Sequence, residues 1–309
     1  MIVFVNTPFN ASDKAYFLGK FPSGHEVIFK KDLPENEQAA AFQRADVVLG
    51  NPPVAWFSEA TNLKWWQLDS AGFDGYKNLK LTNPVTNMGD YFAWPCAETI
   101  VAGIIAFYRD IHGLAVLQTQ KKWVGVPLRF KLGLLKNKKV IILGSGTIGQ
   151  AVRQMLTGFQ CSVRFLARTN PDAELHTADE LKAALPETDL VVNCLPGTAK
   201  GFFSAELIDA MKTGSVYANI GRGSTTDETA LIGALKSGQL TGAVLDVTEV
   251  EPLPTDNPLW EMPNVILTQH TGGGLATEDI GKADLFVRNM NQFLAGKPLE
   301  NQVDLSKGY

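Results

Sequence analysis

The sequence predicts an α/β protein with a doubly wound parallel sheet and a second, smaller α/β domain. Short apolar runs alternate with helical patterns along most of the chain, which is typical of parallel sheets whose strands are joined by helices. One run, residues 140–143, leads into a glycine-rich turn and then into a helical pattern. Polar residues directly follow several later runs. Because ligands of open parallel sheets bind outside the carboxyl ends of the strands, we expect the functional site there.

Composition excludes several classes of protein. The chain has 309 residues, of which 45% are hydrophobic and 19% charged, and this favours two folded domains over a disordered chain. The net charge of −4 and the lack of a long basic run argue against nucleic acid as the main partner. No apolar run approaches the roughly 20 residues of a membrane span, and the first residues resemble a strand rather than a signal peptide. We therefore expect a cytoplasmic protein with no membrane partner.

The cysteines point to a reducing compartment. They are three in number, scattered, and without metal-ligand spacing, so the sequence predicts no disulfide framework and no metal site. Each is interpreted as a small buried apolar residue. The three are Cys96, Cys161 and Cys194.

The N-terminal part predicts a small parallel sheet. Apolar runs at 2–5, 27–29, 47–49 and 65–68 read as strands, with helical stretches such as 37–44 between them. The last of these strands ends in small residues, 68–74. Exposed amides at Ala71 and Gly72 would bind an anion there, although a plain strand-to-helix turn gives the same pattern.

Two helical patterns set the predicted domain boundaries. Residues 96–118 carry apolar side chains on several faces, which indicates one long helix buried on more than one side. Residues 278–294 are amphipathic, and we expect this helix to return the chain to the first domain. The prediction is a discontinuous substrate domain, 1–95 with 276–309, and a dinucleotide-binding domain, 96–275.

The glycine turn after the central strand reads Gly144-x-Gly146-x-x-Gly149. In a Rossmann-type site the first glycine allows the tight turn, the second lets the backbone approach a pyrophosphate, and the third lets the helix pack on the strand. The unpaired amides of the helix then meet the phosphate charge. A glycine turn without a ligand is the alternative. The turn also contains Ser145, Thr147 and Ile148.

The end of the second strand indicates which nucleotide binds. Sites for NAD usually place an acidic residue about 20 residues past the glycines, to hold the ribose 2′-hydroxyl. Here that place holds Ala167, Arg168 and Thr169, and an arginine with a hydroxyl suits a 2′-phosphate. Asp172 lies further on and is interpreted as a solvated loop acid. We expect NADP(H) to be preferred, with NAD(H) as the alternative.

Three polar residues follow the later strands: Arg222, Glu251 and His270. An arginine binds a carboxylate through its planar fork, and a histidine beside a carboxylate is a general acid. Over a nicotinamide ring, this set suits reduction of a 2-oxo acid. Taken singly, each residue also fits a structural role, as a helix cap, a solvated loop acid or a core histidine, and spacing alone does not bring the three together.

Several motifs, in order and spacing, resemble the D-isomer-specific 2-hydroxyacid dehydrogenase family. They are Asn-Ile-Gly-Arg-Gly at 219–223, Gly-Ala-Val-Leu-Asp-Val at 242–247 with Val-Glu-Pro-Leu-Pro at 250–254, and Asn-Pro-Leu-Trp at 257–260 through Gln269 and His270. The resemblance runs from about 135 to 274 and is weaker at 70–74 and 97–98. It implies a flavodoxin-like discontinuous substrate domain, a cleft between domains and a homodimer.

The resemblance also implies roles for individual residues. Arg222 binds the substrate carboxylate and polarises the oxo group, His270 is the acid/base, and Glu251 is its partner, whereas Glu249 is a bystander. The backbone amides of Ala71 and Gly72 also hold the carboxylate. The implied cofactor contacts are Thr147 and Ile148 at the pyrophosphate, Leu195, Pro196 and Thr198 on the adenosine side, and Ile220 and Asp246 on the nicotinamide side, with Gly221, His270 and Gly272 nearby.

Some positions depart from the family pattern. Gln269 stands where proline commonly precedes the histidine, and residues 87–96 lack the usual Gly/Asn-rich form. The Ala-Arg-Thr sequence at 167–169 resembles the NADPH-preferring glyoxylate/hydroxypyruvate reductases of the family. The sequence therefore predicts an NADPH-dependent reductase of a small 2-oxo acid that yields the D-2-hydroxy acid. The alternatives are a D-lactate- or D-3-phosphoglycerate-type dehydrogenase and, in a different class, a cofactor-sensing protein that resembles a corepressor.

Overall fold

The computed structural model describes residues 1–308 and divides them into two compact units. Unit one contains Met1–Phe92 and the segment from Leu275 onward, and unit two contains Ala93–Gly274. The strands are β1 Ile2–Val5, β2 Glu26–Phe29, β3 Val47–Leu49, β4 Trp65–Gln67, β5 Val85–Thr86, β6 Lys139–Leu143, β7 Ser162–Leu166, β8 Leu190–Asn193, β9 Ser215–Asn219, β10 Leu240–Leu245 and β11 Val265–Leu267. The α-helices are α1 Ala11–Lys20, α2 Glu35–Gln43, α3 Ala93–Tyr108, α4 Ile111–Thr119, α5 Val126–Arg129, α6 Thr147–Gly158, α7 Ala178–Ala184, α8 Ala205–Asp209, α9 Glu228–Ser237 and α10 Glu278–Leu294.

Unit one is a five-stranded parallel sheet in the order β2-β1-β3-β4-β5. This is the flavodoxin-like order. Successive residues of a strand point to opposite faces, and Trp65 and Trp66 of β4 accordingly lie in the two different cores of this unit, both fully buried. Trp65 stacks on Phe286 of α10, with ring centroids 4.9 Å apart. The helix near the C-terminus therefore completes one face of a sheet built from the N-terminal strands.

Unit two is a six-stranded parallel sheet in the order β11-β10-β9-β8-β6-β7. An isolated parallel bridge between Leu166 and Leu175 lies beyond β7, at the place where a Rossmann sheet has its third strand. The order is thus that of the doubly wound fold, with one strand reduced to a single bridge. The order in which strands are added reverses between β6 and β8, which is the topological switch point where ligands of such sheets bind. The predicted fold class is confirmed.

The prediction of one long helix over 96–118 is wrong. The segment forms α3 and α4, which are bent by 72° with respect to each other, and Asp110 at the break has a left-handed backbone (φ 52°). Helix α3 packs closely on the sheet: a Cβ on Gly103 would lie 2.5 Å from Val244 Cγ1, so the glycine permits this close approach. Helix α4 buries no residue, and Ile111 and Val116 are more than half exposed. Apolar periodicity continues through the break, so the pattern does not reveal it.

Two short elements are not predicted from the sequence. They are strand β5 and the short helix α5, which lies in the basic stretch 121–131.

Among residues 1–308, no single helix is long and apolar enough to cross a membrane. Helices α3 and α4 meet that length and composition only when taken together across their bend.

Candidate active site

The glycine turn joins β6 to α6 with the geometry of a phosphate-binding loop. Gly144 has φ +95°, which L side chains rarely adopt. A Cβ on Gly149 would lie 2.2 Å from the Gly144 carbonyl oxygen, so only glycine lets the helix lie this close to the strand. A Cβ on Gly146 meets no atom within 4 Å. The first turn of α6 therefore faces open space at Gly146, and the residues present fit a dinucleotide pyrophosphate.

The loop after β7 lies beside this turn. Asn170 donates from Nδ2 to Ser145 Oγ at 3.0 Å, and this hydrogen bond ties the two loops together. Arg168 and Thr169 are exposed. Asp172 is also exposed, and its backbone NH donates to Asn170 Oδ1 at 3.0 Å. Asn170 is a residue that the sequence analysis missed; its signal is the Asn-Pro pair at 170–171, which favours a turn.

The loop after β8 meets the glycine turn at the switch point. A Cβ on Gly144 would lie 3.1 Å from the carbonyl oxygen of Cys194. Leu195 donates its backbone NH to Asn193 Oδ1 at 2.9 Å, and Gly197–Ala199 form a 3-10 turn. The candidate adenosine-side residues of this loop, Leu195, Pro196 and Thr198, thus lie next to the candidate phosphate loop.

The loop that carries Arg222 packs tightly between the loops after β8 and β10. A Cβ on Gly221 would lie 2.4 Å from the Leu195 carbonyl oxygen, and one on Gly223 would lie 1.9 Å from the Thr248 carbonyl oxygen. Glycine on both sides lets the arginine loop pack directly on the loops after β8 and β10. Arg222 donates from Nη1 to the Gly221 carbonyl at 2.9 Å.

His270 and Glu251 form a hydrogen-bonded pair. His270 Nδ1 lies 2.6 Å from Glu251 Oε2, and the side chains are 50% and 36% exposed. The other carboxylate oxygen, Oε1, accepts from the Thr248 NH at 3.0 Å. A carboxylate at Nδ1 fixes a proton on that nitrogen, which leaves Nε2 for proton exchange with a substrate. Thr248 touches the arginine loop through Gly223, so the three predicted catalytic residues come from adjoining loops.

Asp246 anchors the histidine loop. Its carboxylate is buried, and Oδ1 accepts from Thr268 Oγ1 at 2.5 Å and from the NH groups of Thr271 and Gly272 at 3.1 and 3.0 Å. The Asp246 carbonyl accepts from the His270 NH at 2.5 Å. Thr268 and Thr271 are not among the site residues predicted from the sequence, although hydroxyl residues on both sides of the histidine are visible there.

Gln269 and His270 both have a left-handed backbone, with φ +55°. Such a conformation is strained for residues other than glycine and persists where surrounding contacts enforce it. The contacts with Asp246 supply that enforcement.

Cys96 of α3 lies near the same loops. The pKa of its thiol is raised to about 11, mainly by burial and to a lesser extent by Asp246, whereas Arg222 acts to lower it. A thiol with this pKa stays protonated at neutral pH, in agreement with its interpretation as a small buried residue. Among residues 1–308 no group of three or more His, Cys, Asp or Glu side chains has an arrangement that would hold a metal.

Ala71 and Gly72 lie in unit one, in the loop after β4. The Ala71 carbonyl accepts from Asn87 Nδ2 and the Gly72 carbonyl from Ser70 Oγ, both at 2.7 Å. Within residues 1–308 neither backbone NH donates a hydrogen bond to another backbone group. Next to this loop is Asp69, and its burial raises the pKa of its carboxyl.

Comparison with known proteins gives the family. The model of the D-isomer specific 2-hydroxyacid dehydrogenase NAD-binding domain matches residues 101–272. The chain belongs to this family. It is 32% identical to glyoxylate/hydroxypyruvate reductase A of Salmonella typhimurium over 218 residues, which are 69% of this chain and 68% of the relative.

Two solved structures with bound nucleotide are similar over the full chain. The NADPH-dependent glyoxylate/hydroxypyruvate reductase of Sinorhizobium meliloti, in complex with NADP and sulfate, has a TM-score of 0.83 at 26% identity and covers 100% of this chain and 99% of its own. A family member from Xanthobacter autotrophicus, in complex with NADPH and MES, has a TM-score of 0.81 at 29% identity with the same coverage. The protein is therefore an NAD(P)-dependent oxidoreductase, and its family acts on small 2-oxo and 2-hydroxy acids.

Proposed function

We propose that the protein uses NADPH to reduce a 2-oxo acid of the size of glyoxylate or hydroxypyruvate to the D-2-hydroxy acid. The observation that carries this proposal is the His270–Glu251 pair in a loop that adjoins the loop of Arg222. The relatives named glyoxylate/hydroxypyruvate reductase support the substrate size. The runner-up is a D-lactate- or D-3-phosphoglycerate-type dehydrogenase.

Each residue has one task in the proposed reaction. The reduced nicotinamide supplies the hydride when it is bound. Arg222 binds the carboxylate of the substrate and polarises its oxo oxygen through the guanidinium fork. His270 donates the proton to that oxygen from Nε2, while Glu251 holds Nδ1–H and stabilises the imidazolium. The NH groups of Ala71 and Gly72 are proposed to bind a carboxylate of the substrate.

We assign the nucleotide to unit two and the substrate loop to unit one. For the functional domains we propose the limits expected from the sequence, 95/96 and 275/276, beside the unit limits at 92/93 and 274/275. The open space at Gly146 supports a pyrophosphate at the start of α6, with contacts from Ser145, Thr147 and Ile148. The nicotinamide side is assigned to Ile220, Gly221, Asp246 and Gly272, and the adenosine side to Leu195, Pro196 and Thr198.

A substrate panel tests the reaction. We expect NADPH absorbance to fall fastest with glyoxylate or hydroxypyruvate and more slowly with pyruvate, phenylpyruvate and branched 2-oxo acids. Faster turnover of pyruvate with NADH would favour the lactate-type alternative. Binding of NADPH without turnover of any 2-oxo acid would reject the proposal.

Arg168 is proposed to bind the 2′-phosphate of NADPH, together with Thr169. We expect Arg168→Ala to lower kcat/KM for NADPH by about 10- to 100-fold, the usual worth of a charge-assisted hydrogen bond, and to leave kcat/KM for NADH within about twofold. The measurement is the ratio of the two specificity constants. The control is Arg164→Gln, which removes a positive charge from β7, the strand before the loop of Arg168. It should leave that ratio unchanged. An unchanged ratio in Arg168→Ala would contradict this assignment.

We propose that the protein is a homodimer held by the segment 121–134, here called the arm. Trp123 is 95% exposed and Phe130 86% exposed, and large apolar side chains exposed within one short segment are typical of an interaction surface. Replacing both by serine should convert a dimer of about twice the chain mass into a monomer in light scattering. Leu18→Ser, an exposed apolar position in unit one, should stay dimeric. A wild-type monomer would refute the proposal.

A further inference from the structure

A buried network of polar side chains lies beneath the loop of Arg222. Its members carry no formal charge, and each is at most 6% exposed. They come from the ends of β8 and β9 and from the turn that follows Arg222. The members are Asn193, Tyr217, Asn219, Thr225 and Thr226.

Hydrogen bonds connect the members to one another. Asn193 donates from Nδ2 to the Tyr217 hydroxyl and to Thr225 Oγ1, both at 2.9 Å. The hydroxyls of Tyr217 and Thr226 share a hydrogen bond of 2.5 Å. Asn219 Nδ2 also reaches Thr226 Oγ1, at 3.3 Å. Buried networks whose polar groups are satisfied make a structure rigid.

The network ends on the backbone on either side of the Arg222 side chain. The Arg222 carbonyl accepts from Thr225 Oγ1 at 2.6 Å and from Asn219 Nδ2 at 3.3 Å. Asn219 Oδ1 accepts from the Gly221 NH at 2.9 Å. Arg222 itself has an ordinary extended backbone (φ −140°, ψ 135°). Its own backbone conformation therefore does not define the loop, whereas these hydrogen bonds do.

The Tyr217 hydroxyl is a fully buried member of this network. The side chain is fully buried and stacks on Phe203 with ring centroids 5.0 Å apart. Burial raises the pKa of the phenol well above its usual range, more than Thr226 and Asn193 lower it. The phenol is therefore protonated at neutral pH, and its hydroxyl takes part in the network through hydrogen bonds.

We propose that Asn193, Tyr217 and Thr226 are positioning residues that hold Arg222 where its guanidinium meets the substrate carboxylate. This inference rests on the proposed function, in which Arg222 binds the 2-oxo acid. Displacement of a binding group by a fraction of an ångström weakens a bidentate contact strongly. Loss of a network hydroxyl should therefore affect the 2-oxo acid and leave the nucleotide unaffected.

Thr226→Val and Tyr217→Phe each delete one hydroxyl with little change of shape. We expect kcat/KM for the 2-oxo acid to fall about tenfold, the usual upper worth of one neutral hydrogen bond, with the Kd of NADPH within about twofold by fluorescence. Thr226→Ser keeps the hydroxyl and should therefore keep most of the wild-type activity. The matched control is Thr188→Val, since Thr188 is equally buried in unit two and its hydroxyl donates to the Ala184 carbonyl at 2.9 Å, before β8 begins.

A double-mutant cycle with Arg222→Lys separates positioning from general destabilisation. If Thr226 acts through Arg222, Thr226→Val should reduce kcat/KM by less than about twofold in the Arg222→Lys background. The inference would be overturned if the factors by which Thr226→Val and Arg222→Lys reduce kcat/KM simply multiply in the double variant. It would also be overturned if Thr226→Val reduced kcat/KM no more than Thr188→Val does. A wild type that reduces no 2-oxo acid would instead reject the proposed function, and the inference with it.

Discussion

His270→Ala should lower kcat for reduction of the 2-oxo acid by about three orders of magnitude, within the range found for loss of a general acid. The variant removes Nε2, which is the proposed proton donor, and the partner of Glu251 at 2.6 Å. Stopped-flow absorbance of NADPH measures the rate, and fluorescence measures the Kd of NADPH. The Kd should change by less than about threefold, because the pyrophosphate and adenosine contacts remain.

Two glutamate variants serve as controls for the histidine. Glu251→Gln keeps the shape but not the charge of the partner, and we expect a smaller loss of about 10- to 100-fold. Glu249 lies two residues away, and its side chain has no proposed role, so Glu249→Gln should behave as wild type. Retention of full activity by His270→Ala would refute the catalytic assignment.

Gly149→Ala should destabilise unit two strongly, by about 2–4 kcal/mol, as overpacking against a backbone atom that has no room to move. The added Cβ would lie 2.2 Å from the Gly144 carbonyl oxygen, so α6 would have to move away from β6. Urea unfolding measures the free energy of unfolding. Gly149→Ala should also abolish NADPH binding, because the turn and the start of the helix move together.

Substitutions at two other glycines of the same segment distinguish an effect on stability from an effect on NADPH binding. Gly158→Ala, in the last turn of α6, adds a Cβ that meets nothing within 4 Å and should stabilise the protein by up to about 1 kcal/mol. Gly146→Ala also meets nothing within 4 Å, yet its methyl occupies the space assigned to the pyrophosphate. It should leave stability unchanged and weaken NADPH binding at least about tenfold. Tight NADPH binding by Gly146→Ala would contradict the assigned phosphate site.

The parallel sheets are predictable because buried strands are continuous apolar runs bounded by turn residues. Residues 140–143, 190–195 and 216–220 show this pattern, and each contains most of a strand. The carboxyl ends of such strands meet at one edge of the sheet, so residues just after them are found without coordinates. The positions of Arg222, Glu251 and His270 at strand ends follow in this way, whereas their catalytic roles are implied by the family resemblance. The structure places the three in adjoining loops.

What the sequence does not reveal depends on contacts between distant residues. The break at Asp110 interrupts no apolar pattern, and a local pattern contains no information on what packs against each turn. Asp246 is visible as a strand-end acid, but its hydrogen bonds to the loop 268–272 arise only in the folded unit. The network of Asn193, Tyr217 and Thr226 joins three separate segments, and each residue alone looks like an ordinary strand or turn residue.

The stacking of Phe286 on Trp65 has a consequence for synthesis of the chain. Unit two is a single continuous segment, Ala93–Gly274, whereas unit one needs α10 to cover one face of its sheet. All of unit two is synthesised before α10. Since domains generally fold as units when their residues are available, the part of the chain made first waits, with Trp65 uncovered, until the part made last arrives. A chaperone that binds nascent chains would therefore meet the apolar face of unit one that α10 later covers.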